Sequence, residues 1–145
     1  MAIAIQNRQR AVTIHTAAVK RDVQQAMAYL GCADRELSVV FANERLIRTL
    51  NRIYRHQDRP TNVLAFPQSA PLTSVPAHTL LGDIIVCLPI AACEAHQLQQ
   101  CLEKRVTFLI VHGLLHLLGY DHEQSATARR RMEALEAEVM KHLQS

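Results

Sequence analysis

From Val106 to Leu118 the chain reads Val-Thr-Phe-Leu-Ile-Val-His-Gly-Leu-Leu-His-Leu-Leu, a helical run apolar on every face that nevertheless carries two histidines. A helix of that kind has to be buried. His112 and His116 are four residues apart and project from one face about one turn apart. Left unpaired there, each imidazole would cost several kcal/mol. A metal ion removes that cost by taking one nitrogen from each ring. Gly119 ends the helix and lets the chain turn, so that His122 returns as a third ligand. Three histidines leave a fourth tetrahedral position for water, the arrangement of catalytic rather than structural zinc. Imidazole suits nickel and iron as well; the tetrahedral preference favours a single Zn2+ as the expected cofactor.

The offsets of His112, His116, Gly119 and His122 equal those of the metzincin protease pattern HExxHxxGxxH. The Glu that serves those proteases as general base is Gly113 here. A positioned base contributes about 10²- to 10⁴-fold in rate, and a peptide needs that help. The spacing predicts a zincin-like site; the missing carboxylate argues against a protease. The other histidines, His15, His56, His78, His96 and His142, have no comparable spacing and are expected at the surface.

The rest of the chain reads as one α+β domain over residues 1–145. Strands are predicted at Ile3–Ile5, Leu37–Phe41, Asn62–Phe66 and Leu81–Leu88. Helices are predicted from about Thr16 to Leu30, after an Asn43 cap, from Pro89 to about Leu102, from Lys104 to Leu118, and from Ser125 to His142. Residues 67–80 hold Pro67, Pro71 and Pro76 and no charged side chain, and read as the one long loop. Neither GxGxxG nor a P-loop occurs, so dinucleotide and P-loop chemistry are set aside. Four cysteines without CxxC spacing, no signal-peptide core and no long apolar span predict a soluble cytoplasmic protein with reduced thiols.

Charge is uneven. Residues 1–60 hold ten basic side chains against five acidic ones, and thirteen of the sixteen bases are Arg. Arg45, Arg48, Arg52, Arg55 and Arg59 recur at three- and four-residue steps within an arc of roughly 80° on a helix. Leu46, Ile47, Leu50, Ile53 and Tyr54 fall opposite, as the expected packed face. Such a row is either a solvated polar face or a phosphate-binding surface for a polyanionic strand. No aromatic interleaving of the RNP kind accompanies it, so base stacking is not expected to dominate.

The eleven residues His112 to His122 resemble the signature of the bacterial YbeY family, endoribonucleases of ribosomal RNA maturation. The similarity extends to Leu50-Asn51-Arg52-Ile53-Tyr54-Arg55, Arg59 to Pro67, Leu81-Gly82-Asp83-Ile84, and on to Met132 and Glu136. In many members the position of Asn62 is Asp and that of Ala65 is Ser. The resemblance implies a zincin-like domain whose metal helix lies centrally against a small mixed sheet of about four strands, with about five helices. It implies a zinc-dependent, single-strand-specific endoribonuclease that matures the 3′ end of the small-subunit (16S) RNA and takes part in ribosome quality control. The implied zinc ligands are His112, His116 and His122, with Arg55 at the active site.

On this reading Arg55 binds phosphate or stabilises developing charge, and Arg45, Arg48, Arg52 and Arg59 bind RNA. Asp121, beside His122, is expected to orient a ligand or cap a turn rather than act as a base. The nucleophile is either water or the 2′-hydroxyl of RNA. Expected partners are single-stranded ribosomal RNA and ribosomal proteins or the small subunit, with the chain itself a monomer. Two alternatives stand beside this: a ribosome-assembly factor with a structural metal, and a zincin-like hydrolase of another substrate.

Overall fold

A computed structural model describes residues 3–67, 80–121 and 123–143. Its elements in chain order are β1 (Ile3–Asn7), α1 (Thr16–Tyr29), β2 (Glu36–Ala42), α2 (Glu44–Arg55), β3 (Val63–Pro67), β4 (Leu80–Cys87), α3 (Leu88–Gln97), α4 (Leu102–Leu117) and α5 (Ala126–Leu143). This is the expected α+β architecture, with four strands and five helices. The strands form one mixed sheet in the order β1-β2-β4-β3. β1, β2 and β4 run parallel, and β3 lies antiparallel on β4 at the edge.

Alternation along the strands sends side chains to two separate layers. Val39, Phe41, Ala65, Ile84 and Val86 pack against Val19, Val23 and Met27 of α1 and Val106, Leu109, Ile110 and Leu114 of α4. On the other face Leu64, Ile85 and Cys87 meet Ile47 of α2. Helix α4 is the central element: it contacts β3, β4, α1, α3 and α5. Its apolar circumference is thereby used on nearly every side, which is why no amphipathic pattern marks it.

Several boundaries differ from expectation, among them the end of β1, the start of α4, the end of α3 and the ends of the long loop. Helix α3 stops at Gln97 rather than near Leu102, because Gln99 turns left-handed (φ 55°) and Gln100 N–H donates back to Ala95 O at 2.9 Å. The loop between β3 and β4 is shorter than 67–80, since Pro67 and Leu80 belong to the strands. Pro71, Pro76 and His78 lie outside the described residues. Among the described residues no helix is long and apolar enough to cross a membrane.

Candidate active site

Helix α4 brings His112 and His116 to the wall of a cleft of about 820 Å³. Their Nε2 atoms face each other at 3.2 Å. Two nitrogens each about 2.0–2.1 Å from one tetrahedral zinc would lie about 3.3 Å apart, so this pair is spaced as two ligands of a common ion. The other nitrogen of His112 is also committed: Nδ1–H donates to Glu136 Oε2 at 2.5 Å. A carboxylate only accepts, so the bond fixes the proton on Nδ1 and turns the lone pair of Nε2 towards His116. Glu136 comes from α5 and is buried beside Met132 and Val139.

Helix α4 ends where the motif requires. Gly119 takes φ +103°, its N–H donates to His116 O at 3.0 Å, and Tyr120 N–H reaches back to Leu115 O at 3.0 Å. His122, the expected third ligand, lies outside the described residues. Among the described residues no group of three His, Cys, Asp or Glu side chains converges on one point. Asp121 lines the cleft and accepts from Glu123 N–H at 2.9 Å. At Gly113 a Cβ would stand 3.2 Å from the Ile84 side chain, so the helix is pressed onto β4 at the position that carries Glu in the protease pattern. His15, His56, His96 and His142 are exposed, as expected.

The opposite wall is built by β3 and the end of α2. Arg55 Nη2 donates to Ala65 O at 3.3 Å, which holds the guanidinium at the mouth of the cleft. Asn62 donates through Nδ2 to Glu94 Oε2 at 3.1 Å, and Arg105 Nε donates to Glu94 Oε1 at 2.9 Å. Because Glu94 can only accept, the amide nitrogen of Asn62 must face it, and Oδ1 is the end left for the cleft.

The arginine row is divided by the fold. Helix α2 ends at Arg55, with His56 left-handed at φ 59°. Arg59 therefore sits beyond the helix, where buried Asn51 donates to its carbonyl at 2.9 Å. Arg55 and Arg59 line the histidine cleft, whereas Arg45, Arg48 and Arg52 line an adjoining groove of about 350 Å³ with Glu44 and Asp58. Pro60 belongs to both walls. Arg48 pairs with Asp58 at 2.9 Å, and its guanidinium N–H holds the Asp58 carboxyl below the usual carboxylate range. Ile53 and Tyr54, expected on the packed face, are 53% and 63% exposed.

A family model described as Endoribonuclease YbeY matches residues 4–144. The chain belongs to the YbeY family. Relatives named Endoribonuclease YbeY include one from Geobacter metallireducens, 42% identical over 140 residues, covering 96% of this chain and 93% of the relative. Another, from Geobacter sulfurreducens, is 40% identical over 146 residues, covering 100% and 97%. A solution structure of a Thermotoga maritima protein superposes with a TM-score of 0.65 at 26% identity, covering 97% of this chain and 88% of that one. YbeY membership thus spans the cleft, β3 and α5 alike.

Two participants receive no site role from the sequence: Glu136, which enters there only as part of the family resemblance, and Glu94. Glu136 stands 24 residues after His112. Its signal is a carboxylate four residues after Met132 and three before Val139, on a face that is otherwise apolar. Glu94 has no such mark.

Proposed function

We propose that this YbeY-family endoribonuclease cuts single-stranded RNA in the His112–His116 cleft, in the cytoplasm, as a zinc enzyme of ribosomal RNA maturation. Endoribonuclease activity follows from the family; the zinc, its ligands, the 3′ end of the small-subunit (16S) RNA, the ribosomal partners, the monomeric state and the role in quality control are the finer assignment. The observation that carries it is the 3.2 Å approach of two Nε2 atoms, one of them turned by a buried carboxylate. His112, His116 and His122 would hold the ion. When bound, zinc polarises a phosphoryl oxygen or lowers the pKa of a water.

The chain's own groups account for the rest. Arg55, tethered by one nitrogen to Ala65 O, keeps N–H donors for a phosphate lying between β3 and α4. Arg59 adds positive charge to the same cleft, and Arg45, Arg48 and Arg52 offer a continuation of the strand's path past Pro60. Asp121, whose carboxylate accepts from Glu123 N–H, would orient a neighbouring ligand rather than act as a base. RNA brings a 2′-hydroxyl that can serve as nucleophile, which lessens the need for the carboxylate that Gly113 lacks.

The test is metal content beside cleavage of a single-stranded RNA by wild type and Arg55→Ala. Wild type is expected to carry zinc and cut. Arg55→Ala should keep its zinc and lose about 10²- to 10³-fold in kcat, the scale of one charge-stabilising donor. Equal rates would overturn the role of Arg55, and wild-type cutting without metal would overturn the zinc. Product ends identify the nucleophile: a 2′,3′-cyclic phosphate marks the 2′-hydroxyl, a 5′-phosphate with a 3′-hydroxyl marks water.

Glu136→Gln should weaken zinc binding by about 10- to 100-fold in a chelator competition, because the amide orients His112 less firmly. Circular dichroism should be unchanged. Unaltered affinity would remove Glu136 from the site.

A further inference from the structure

We infer that the Tyr54 ring is a base-stacking shelf beside the cleft and gives the enzyme its preference for unpaired RNA; this rests on the nuclease reading above. Tyr54 follows the two buried residues of α2, Ile47 and Asn51, by seven and three positions, so by helical geometry it belongs to the packed face. It is nonetheless 63% exposed, more than any other large apolar side chain among the described residues. Sheet order explains this. β3 is the edge strand, and the last turn of α2 reaches it with no further strand beyond to receive the ring.

The ring is held from one side. It meets Phe66 of β3 with centroids 5.2 Å apart and planes tilted by 56°. One residue on in α2 and one residue back in β3, Arg55 Nη2 meets Ala65 O at 3.3 Å. Consecutive residues of α2 thus grip consecutive residues of β3, and the second of these contacts stands in the cleft wall. A phosphate at Arg55 would therefore place a neighbouring base within reach of Tyr54.

The surroundings favour a nucleic acid over a protein partner. Arg52 and Arg55 flank the ring in the chain, and Arg45 extends the positive surface. An aromatic face beside guanidinium groups is how single strands are held without regard to sequence. A base can lie flat on such a ring only when it is free of its duplex partner. Selection of single strands thereby becomes a property of the rim, separate from the chemistry at the histidines.

The chain contains no tryptophan, so Tyr54→Trp introduces a single indole reporter. Combined with His116→Ala to keep the RNA whole, it is titrated with a single-stranded oligoribonucleotide and, separately, with the duplex of the same sequence. Stacking should quench the indole emission by about one third or more with the single strand, and far less with duplex at equal occupancy. In the same His116→Ala background Tyr54→Leu should raise the Kd for single-stranded RNA by about 5- to 100-fold, with Tyr54→Phe close to the Tyr54 parent. An unmoved emission while fluorescence anisotropy of labelled RNA reports binding would overturn the shelf, as would an unchanged Kd for Tyr54→Leu. If Tyr54→Leu weakens single strand and duplex by the same factor, the specificity role falls. Those outcomes leave wild-type cleavage standing; a wild type that neither binds nor cuts RNA would overturn the nuclease reading as well.

Discussion

Alanine at position 116 is expected to reduce RNA cleavage by more than about 10³-fold, the scale on which a preorganised charge centre contributes to phosphoryl chemistry. His116 meets His112 through Nε2, on the cleft side of α4. Its removal takes away the imidazole that faces the nitrogen of His112 turned by Glu136. Bound zinc should fall to a small fraction of the wild-type content. The fold should survive, because His116 is only half-buried and the core of α4 is carried by Val106, Leu109, Ile110 and Leu114. His96→Ala, on the exposed side of α3, is the control and should cut like wild type. A folded His116→Ala protein that keeps its cleavage rate would move the chemistry elsewhere.

That prediction draws on the part of the site that was legible in the sequence. Spacing of four on an apolar helix fixes where two imidazoles point, and Gly119 announces the turn after them, because both are local properties of the backbone. The arginine row was legible only in part. Periodicity places Arg45, Arg48, Arg52 and Arg55 on one face, but the left-handed His56 that cuts off Arg59 has no glycine to signal it. The same holds for Gln99, where α3 stops without Gly or Pro. Glu94 and Glu136 reach the site through tertiary packing from other helices, which spacing along the chain does not encode. Tyr54 was misplaced for a related reason. A helical wheel assigns a face but does not say that the sheet ends beneath it, and strand order is a long-range property.

The second large effect is on stability. Gly82 lies in β4 with φ +146°, beside the bulge between Glu36 and Leu37 pairing, where Leu81 is the extra residue. A Cβ there would stand 2.2 Å from Phe66 O and 3.0 Å from Pro67 Cα, both backbone atoms that no rotamer change can move. It would also come within 3.1 Å of Leu117 Cδ2. Gly82→Ala is expected to cost about 3–5 kcal/mol, the sum of an unfavourable φ and forced separation of packed backbone. For a chain of this size that lowers Tm by roughly 10 °C or more in a calorimetric scan. Gly31→Ala is the comparison: its φ is also positive, at +80°, but nothing lies within 4 Å, so only the conformational cost of about 1 kcal/mol applies. Equal losses at the two positions would mean that crowding at Gly82 is relieved cheaply. The site gives this position its consequence. At Gly82 the edge strand bearing Ala65 and Phe66, the strand beside it, and the helix bearing His112 and His116 come into contact. Prising β3 from β4 there would shift the Arg55 anchor away from the histidines. In Gly82→Ala the cleavage rate should accordingly fall at temperatures well below its own midpoint, before global unfolding is detected by circular dichroism.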